Sequence, residues 1–238
     1  MPALPVRAWR ACRSRGLAYA YHKALRRLLS GNQAELKRRL LYGDPQAYWT
    51  LRGGDDYFRE QEDHPSRSSR ADWLARRIAA LRPSSVLEVG CGYGKQLGAL
   101  RRLLPEAELS GVDFSPTQLG RARRYLADLP GPPIRLALAS GDRLPVADRT
   151  FDLVLTSAVI LHNPPIVAER IRLEVLRASR RWTAHNEDTD RTYNRYGYDT
   201  AAWYRGRGIE PIEAGPIDVP EEPDPSITQF CLVDREAR

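Results

Sequence analysis

The stretch Val86-Leu87-Glu88-Val89-Gly90-Cys91-Gly92-Tyr93-Gly94-Lys95 restricts this chain to few folds. A short apolar run ends on an acidic residue, three glycines follow at alternate positions, and a helix-like stretch comes next. That order predicts a strand entering a tight turn beneath a helix N-terminus, where open α/β sheets take nucleotide-like ligands. Glycines at alternate positions let the backbone bend sharply and admit a ligand with no Cβ in the way.

Glu88 narrows the choice of ligand. A pyrophosphate asks for backbone N–H donors and the positive end of a helix, and a carboxylate repels it. A ligand carrying an ammonium or another cation is attracted instead. The spacing also departs from both phosphate motifs: G-x-G-x-G stands where the dinucleotide fingerprint has G-x-G-x-x-G. A phosphate loop would need Gly at Val89 and Ser or Thr at Gln96.

From there strand and helix patterns alternate. Strands are expected at Val86–Val89, Leu109–Val112, Ile134–Ala139, Phe151–Thr156 and Trp182–His185. Helices are expected over Gln96–Leu104, from Ser115-Pro116 to about Leu129, over Pro164–Ala178 and over Thr200–Arg207. Alternating units imply a parallel sheet covered on both faces. Two last apolar strands, Ile209–Ile212 and Ile227–Val233, have no helix between them and should pair antiparallel. Upstream, residues 70–82 carry Trp73, Leu74, Ile78 and Leu81 at helical spacing, and 43–69 read as a loop-rich link with short helical pieces.

With its glycine turn and acidic strand end, the chain resembles the class I S-adenosylmethionine-dependent methyltransferases, whose first motif is (E/D)-x-G-x-G-x-G. The resemblance covers about residues 70–235 and implies a Rossmann-like, doubly wound α/β sheet of seven strands, mostly parallel, with a C-terminal antiparallel hairpin. It implies S-adenosylmethionine as cofactor, S-adenosylhomocysteine as product, and no metal. Glu88, Gly90, Cys91, Gly92 and Gly94 then form the cofactor turn. Asp113, ending the second strand, takes the ribose hydroxyls, as an acid there does for NAD, and Phe114 lies against the adenine. Ser140-Gly141-Asp142-Arg143-Leu144-Pro145 with Phe151-Asp152-Leu153-Val154 resembles the family's G-D-x-x-x-L-P…F-D-x-V segment. Asp142 would end the third strand and accept from the adenine amino group, with Arg143 lining the ring. Ser157 would sit near the methionine half.

The acceptor side is read from the segments after the fourth and fifth strands. His162 is the candidate base or acceptor-orienting group, against the alternative of a packing histidine. His185, Asn186 and Glu187, read as following the fifth strand, and Tyr193, in an aromatic and polar run, are the candidate substrate contacts. Asn163-Pro164-Pro165-Ile166 resembles the signature of amino-base methyltransferases but starts too far past the strand and lacks the final aromatic ring. It reads as an N-cap and first helical turn.

Charge divides the chain. Its 238 residues carry a net +7, yet residues 1–50 hold ten basic residues (Arg7, Arg10, Arg13, Arg15, Lys23, Arg26, Arg27, Lys37, Arg38, Arg39) against Glu35 and Asp44. The remainder is close to neutral. Residues 1–65 are therefore read as a basic helical extension packing on or capping the active site, and 66–238 as the methyltransferase domain. Leu17, Tyr21, Leu25 and Leu28 suggest an amphipathic helix packed on that domain. A contact with nucleic acid or an anionic surface, and an organellar transit peptide, stand as alternatives. Three scattered cysteines suit neither a disulfide framework nor a zinc site, which points to a cytoplasmic setting. No apolar run approaches the length of a membrane span. The function expected is methyl transfer to an O or N atom of a small molecule such as a sugar or natural product. The alternative is an RNA or protein methyltransferase docking through the basic arm.

Overall fold

The structure, a computed structural model, describes residues 17, 19–22, 24–25, 28–29, 34–52, 55–62, 65–217, 219 and 227–237. The expectations placed on Arg7, Arg10, Arg13, Arg15, Lys23, Arg26 and Arg27 fall outside these residues. Among the described residues, helical positions near 17–28 are followed, before the sheet, by α1 Ala34–Leu41, α2 Pro45–Arg52, α3 Asp55–Glu62 and α4 Pro65–Ala80. Strands and helices then alternate as β1 Ser85–Val89, α5 Lys95–Leu103, β2 Glu108–Asp113, α6 Pro116–Leu126, β3 Arg135–Leu138 and β4 Phe151–Ser157. A 3-10 turn at Ile160–His162 leads into α7 Pro165–Ala178, β5 Ser179–Asp188, α8 Thr200–Arg205, β6 Glu213–Pro216 and β7 Thr228–Asp234.

The seven strands form one sheet in the order β3-β2-β1-β4-β5-β7-β6. The first five pair in parallel, and β7 enters antiparallel between β5 and β6. The order reverses between β1 and β2 on one side and β4 on the other. That reversal opens a crevice at the strands' carboxyl ends. Alternate strand residues feed two cores. Val86, Leu109, Leu153 and Leu155 pack with Leu74, Ile78, Leu97 and Leu100 on one face. Leu87, Val89, Val112 and Val154 pack with Ile171 and Val175 on the other. Asp152, from the F-D pair, staples the start of β1: its Oδ2 accepts from the amides of Ser84 at 2.9 Å and Ser85 at 3.2 Å.

Several expectations need correction. The link at 43–69 is helical over most of its described length, and α4 begins at Pro65. Its helices lack long apolar runs because they bury aromatic rings rather than aliphatic ones. The helical residues near 17–28 turn the other way from the predicted apolar face. Leu17, Tyr21 and Leu28 are exposed, whereas Tyr19 and His22 are buried. The His22 ring meets the Tyr48 ring edge-on at 4.9 Å, which rolls that side inward. The strand expected at Ile209–Ile212 forms later, as β6. Pro211 has no N–H to give, and pairing with β7 begins with the Ile212 amide on the Leu232 carbonyl at 2.9 Å. Finally, β5 runs on to Asp188, three residues past the expected end at His185, so Asn186 and Glu187 are strand residues rather than a loop.

Candidate active site

A cavity of about 760 Å³ occupies the crevice. Its floor is the turn after β1. Gly90, Gly92 and Gly94 all adopt positive φ, at 72°, 54° and 90°. A Cβ on Gly90 would come within 2.5 Å of Val159 Cγ2, so bareness at this position lets two turns touch. Gly94, in the left-handed region, starts α5 and packs towards Leu126 instead of lining the cavity. The Gly90 and Cys91 amides both bond to the Val112 carbonyl, tying the turn to β2.

Two carboxylates face this floor. Glu88 is 3% exposed, and its Oε2 has no hydrogen-bond partner. Burial, then the neighbouring Asp113, pushes its carboxyl well above the usual range. Asp113 Oδ2 accepts from the Gly92 amide at 2.9 Å and Oδ1 from the Ser115 amide at 2.8 Å. Those two bonds fix the carboxylate and still leave each oxygen a lone pair for a ligand hydroxyl. Burial also raises Asp113, with the two backbone bonds opposing. An orphaned buried carboxylate oxygen beside a side-chain-free turn fits a cationic, nucleoside-bearing ligand such as S-adenosylmethionine. Cys91, Phe114 and Ser157 also line the cavity.

Asp142 and Arg143 do not join them. They sit in a turn beyond the end of β3, where the Asp142 carboxylate accepts from Ser140 Oγ at 2.5 Å and Arg143 is exposed. Asp142 therefore does not end the third strand as expected, because β3 stops at Leu138.

The opposite wall comes from segments distant in sequence. Trp49 and Tyr48 on α2, with Arg52, Tyr57 and Gln61, line the cavity against His162, Asn163, Tyr193, Asn194 and Arg195. The Trp49 ring meets the His162 ring edge-on at 4.6 Å, and its Nε1 donates to Tyr42 Oη at 3.0 Å. Tyr42 in turn donates to the His162 carbonyl at 2.6 Å, and Tyr48 and Tyr193 join their hydroxyls at 2.9 Å. Arg38 donates to the carbonyls of Thr192 and Arg195 and covers the Tyr196 ring. Nδ1 of His162 lies 2.6 Å from the Asn194 carbonyl. A carbonyl only accepts, so Nδ1 carries the proton, and in the neutral ring Nε2 is the basic nitrogen.

Strand alternation divides the other candidates. Asn186 and Asp188 point into the cavity, where Asn186 Nδ2 donates weakly to Ser157 Oγ at 3.4 Å and Asp188 pairs with Arg70 and Arg195. His185 and Glu187 point to the opposite face, as a period of two requires. His185 is buried between Thr156 and Tyr204, and burial with the nearby Arg172 pushes its pKa down to about 3. Glu187 accepts from Thr156 and from the amides of Val159 and Leu161, and burial pushes it up to about 7. Neither reaches a ligand in the cavity. Asn163 also departs from the N-cap reading: α7 starts one residue later than that requires, and the Asn163 side-chain Nδ2 donates back to the Val159 carbonyl at 2.8 Å.

Sequence reading missed Tyr48, Trp49, Arg52, Tyr57 and Gln61. The signal available was the aromatic pairing Tyr48-Trp49 and Tyr57-Phe58 within an otherwise charged stretch. Lys95, rejected as a phosphate lysine, bridges to Glu62 at 3.1 Å, and Tyr93 donates to Glu62 at 2.8 Å. Together they hold α3 across the glycine turn.

The strand order and the carboxyl-edge cavity define a Rossmann-like ligand-binding α/β domain. Residues 86–184 match the methyltransferase-domain family. A magnesium protoporphyrin IX methyltransferase from Synechocystis PCC 6803, crystallised with S-adenosylmethionine, shares the fold. Its TM-score is 0.58 at 18% identity, over 86% of this chain and 93% of that one. A malonyl-[acyl-carrier protein] O-methyltransferase from Laribacter hongkongensis is 33% identical over 110 residues, 40% of this chain and 36% of that protein. A trans-aconitate 2-methyltransferase from Methylobacterium radiotolerans is 35% identical over 104 residues, 43% of this chain and 36% of that protein. The chain thus spans little more than a third of the length of these curated relatives. Residues 86–184 therefore match a methyltransferase domain, set in a Rossmann-like fold shared with a crystallised methyltransferase. Among the described residues no helix is long and apolar enough to cross a membrane, and no acidic, histidine or cysteine cluster could hold a metal ion.

Proposed function

We propose that the chain transfers a methyl group from S-adenosylmethionine to an O or N atom of a small-molecule acceptor. One observation carries this reading. A single cavity joins the orphaned Glu88 carboxylate and glycine turn to a wall of Trp49, Tyr193 and His162. The cavity's volume, about 760 Å³, lies within the range of small-ligand sites, and α2 and α3 close over it. Relatives named for malonyl-[acyl-carrier protein] and trans-aconitate agree with a non-nucleic-acid acceptor, whereas one named for tRNA U34 keeps RNA as the alternative.

When bound, S-adenosylmethionine supplies a methyl group on a positively charged sulfur, already activated for in-line displacement. Glu88 offsets the ligand's positive charge, and Asp113 holds the ribose. The bare turn allows close approach. His162 Nε2 stands ready to take the proton of a hydroxyl or amine acceptor, while Asn186 and Ser157 orient polar groups near the methyl. Trp49, Tyr48 and Tyr193 exclude water and align the acceptor. Helices α2 and α3 serve as the cap over this site.

Calorimetry with S-adenosylhomocysteine, followed by a metabolite screen with methyl-labelled cofactor, tests the reading. Label in a small product is the expected result. Label appearing only in RNA or protein would overturn the acceptor class. Heat with NAD or ATP and none with the methyl-donor nucleosides would overturn the cofactor.

A further inference from the structure

We propose that Glu187 is a positioning residue, whose carboxylate fixes the segment 158–162 against the cofactor turn and thereby sets where His162 stands. This rests on the reading of His162 as the group beside the acceptor.

After β4 the chain leaves the sheet, its last bond to β5 running from the Ala158 amide to the Asn186 carbonyl at 2.9 Å. Ala158 takes a positive φ of 54°, a conformation that non-glycine residues adopt at a cost. Buried amides in such a bend need acceptors. Glu187, 2% exposed, supplies them from the face of β5 opposite the cavity. Its Oε2 accepts from the Val159 amide at 3.0 Å and the Leu161 amide at 3.2 Å, and its Oε1 from Thr156 Oγ1 at 2.7 Å. One carboxylate thus ties the end of β4 to both sides of the bend. The Val159 side chain, held this way, is the one that abuts Gly90. His162 closes the 3-10 turn that follows, its amide bonded to the Val159 carbonyl at 3.1 Å.

An ionised Glu187 sets the hydrogen-bond polarity of the groups behind it. The Thr156 hydroxyl donates to Glu187, so at its 2.9 Å contact with His185 Nδ1 it must accept. His185 then carries its proton on Nδ1 and accepts at Nε2 from Tyr204 Oη, 2.8 Å away. Tyr204 in turn accepts from Thr183 Oγ1 at 2.9 Å. Every donor in the chain Thr183, Tyr204, His185, Thr156 points towards Glu187. A glutamine there would turn an NH₂ group against the hydroxyl or the amides, which have no other use for it.

The test uses the full chain loaded with S-adenosylhomocysteine, comparing wild type with Glu187→Gln. Amide exchange at Val159 and Leu161 should rise at least tenfold, while Leu87 and Val154 in the neighbouring strands keep their protection. In ¹⁵N spectra of the histidine rings, the Nδ1–H signal of His162 should broaden or move. The dissociation constant for S-adenosylhomocysteine should change less than threefold. Should Glu187→Gln fail to fold, Thr156→Val removes one of the bonds and should give a smaller rise at the same two amides. Unchanged exchange at Val159 and Leu161, or a uniform rise across the whole sheet, would overturn the proposal. If wild type binds no S-adenosylhomocysteine, the cofactor reading has failed instead, and the exchange comparison on the unliganded chain still tests the clamp.

Discussion

The two halves of the cavity are built by different means. The cofactor half comes from the ends of β1 and β2 and the turn between β1 and α5, all within residues 88–118. Its geometry is local: positive φ at three glycines, one aspartate bonding two nearby amides, one glutamate at a strand end. The acceptor half is assembled from α2, α3, the 158–163 bend and the 193–195 loop. Those pieces meet through contacts such as Tyr42 to His162 and Tyr48 to Tyr193, more than a hundred residues apart. The acceptor wall therefore depends on the packing of the whole molecule, and the cofactor floor on one turn and two strand ends.

If that division holds, mutations should separate cleanly. The largest effect is expected for His162→Ala. Losing a positioned base typically costs about 10²–10⁴-fold, so kcat with the acceptor found in the screen should fall by that order. Calorimetric affinity for S-adenosylhomocysteine should stay within twofold. A loss of cofactor affinity as large as the loss of turnover would merge the two halves. Next comes Asp113→Ala, which removes charge-assisted hydrogen bonds worth about 1.5–3 kcal/mol. Cofactor affinity should weaken by about 10–100-fold while the melting temperature of the unliganded protein shifts only slightly. Unaltered binding would remove the ribose assignment. Trp49→Ala should act on the other side only, raising the acceptor KM about tenfold through lost ring packing, with cofactor affinity unchanged. A matching loss of cofactor affinity would show that α2 roofs both ligands.

The same division explains what was legible in the sequence. The turn at Glu88, Gly90 and Gly92 could be read from its spacing, and Asp113 was added by the family resemblance. The parallel sheet and its antiparallel end followed from strict alternation and from the missing helix before β7, whereas the strand order did not. His185 and Glu187 were misplaced because a two-residue period sends neighbours to opposite faces, and the strand was ended one turn too soon. Had β5 been carried to Asp188, Asn186 and Asp188 would have been the cavity pair. Asp142 and Arg143 resembled a motif in sequence, yet the turn beyond β3 leaves them off the cavity. The aromatic roof stayed hidden for a different reason. Nothing near Tyr48 or Trp49 in sequence announces His162 or Tyr193 as a partner.

The smallest predicted effect, a few-fold, distinguishes the halves by pH. Glu88 and Asp113 are both raised by burial, each by its neighbour or against its backbone bonds, and the buried Cys91 thiol beside them is pushed up as well. In the unliganded protein a carboxyl held above its unfolded value binds its proton more tightly when folded. Its contribution to stability is therefore complete below the unfolded carboxylate range and is lost as pH rises through the folded value. A cationic ligand reverses the preference, since it favours the charged carboxylate. Affinity for S-adenosylmethionine should therefore fall as pH is lowered towards the carboxylate range, and binding there should release protons, visible as a dependence of calorimetric heat on the buffer's ionisation enthalpy. Glu88→Gln should abolish most of that proton release and flatten the affinity profile. Trp49→Ala should leave both untouched, because no carboxyl in the cofactor floor depends on the aromatic roof for its charge. Equal proton release from Glu88→Gln and wild type would mean that the cation is balanced elsewhere, and the acidic floor would lose its part in choosing the ligand.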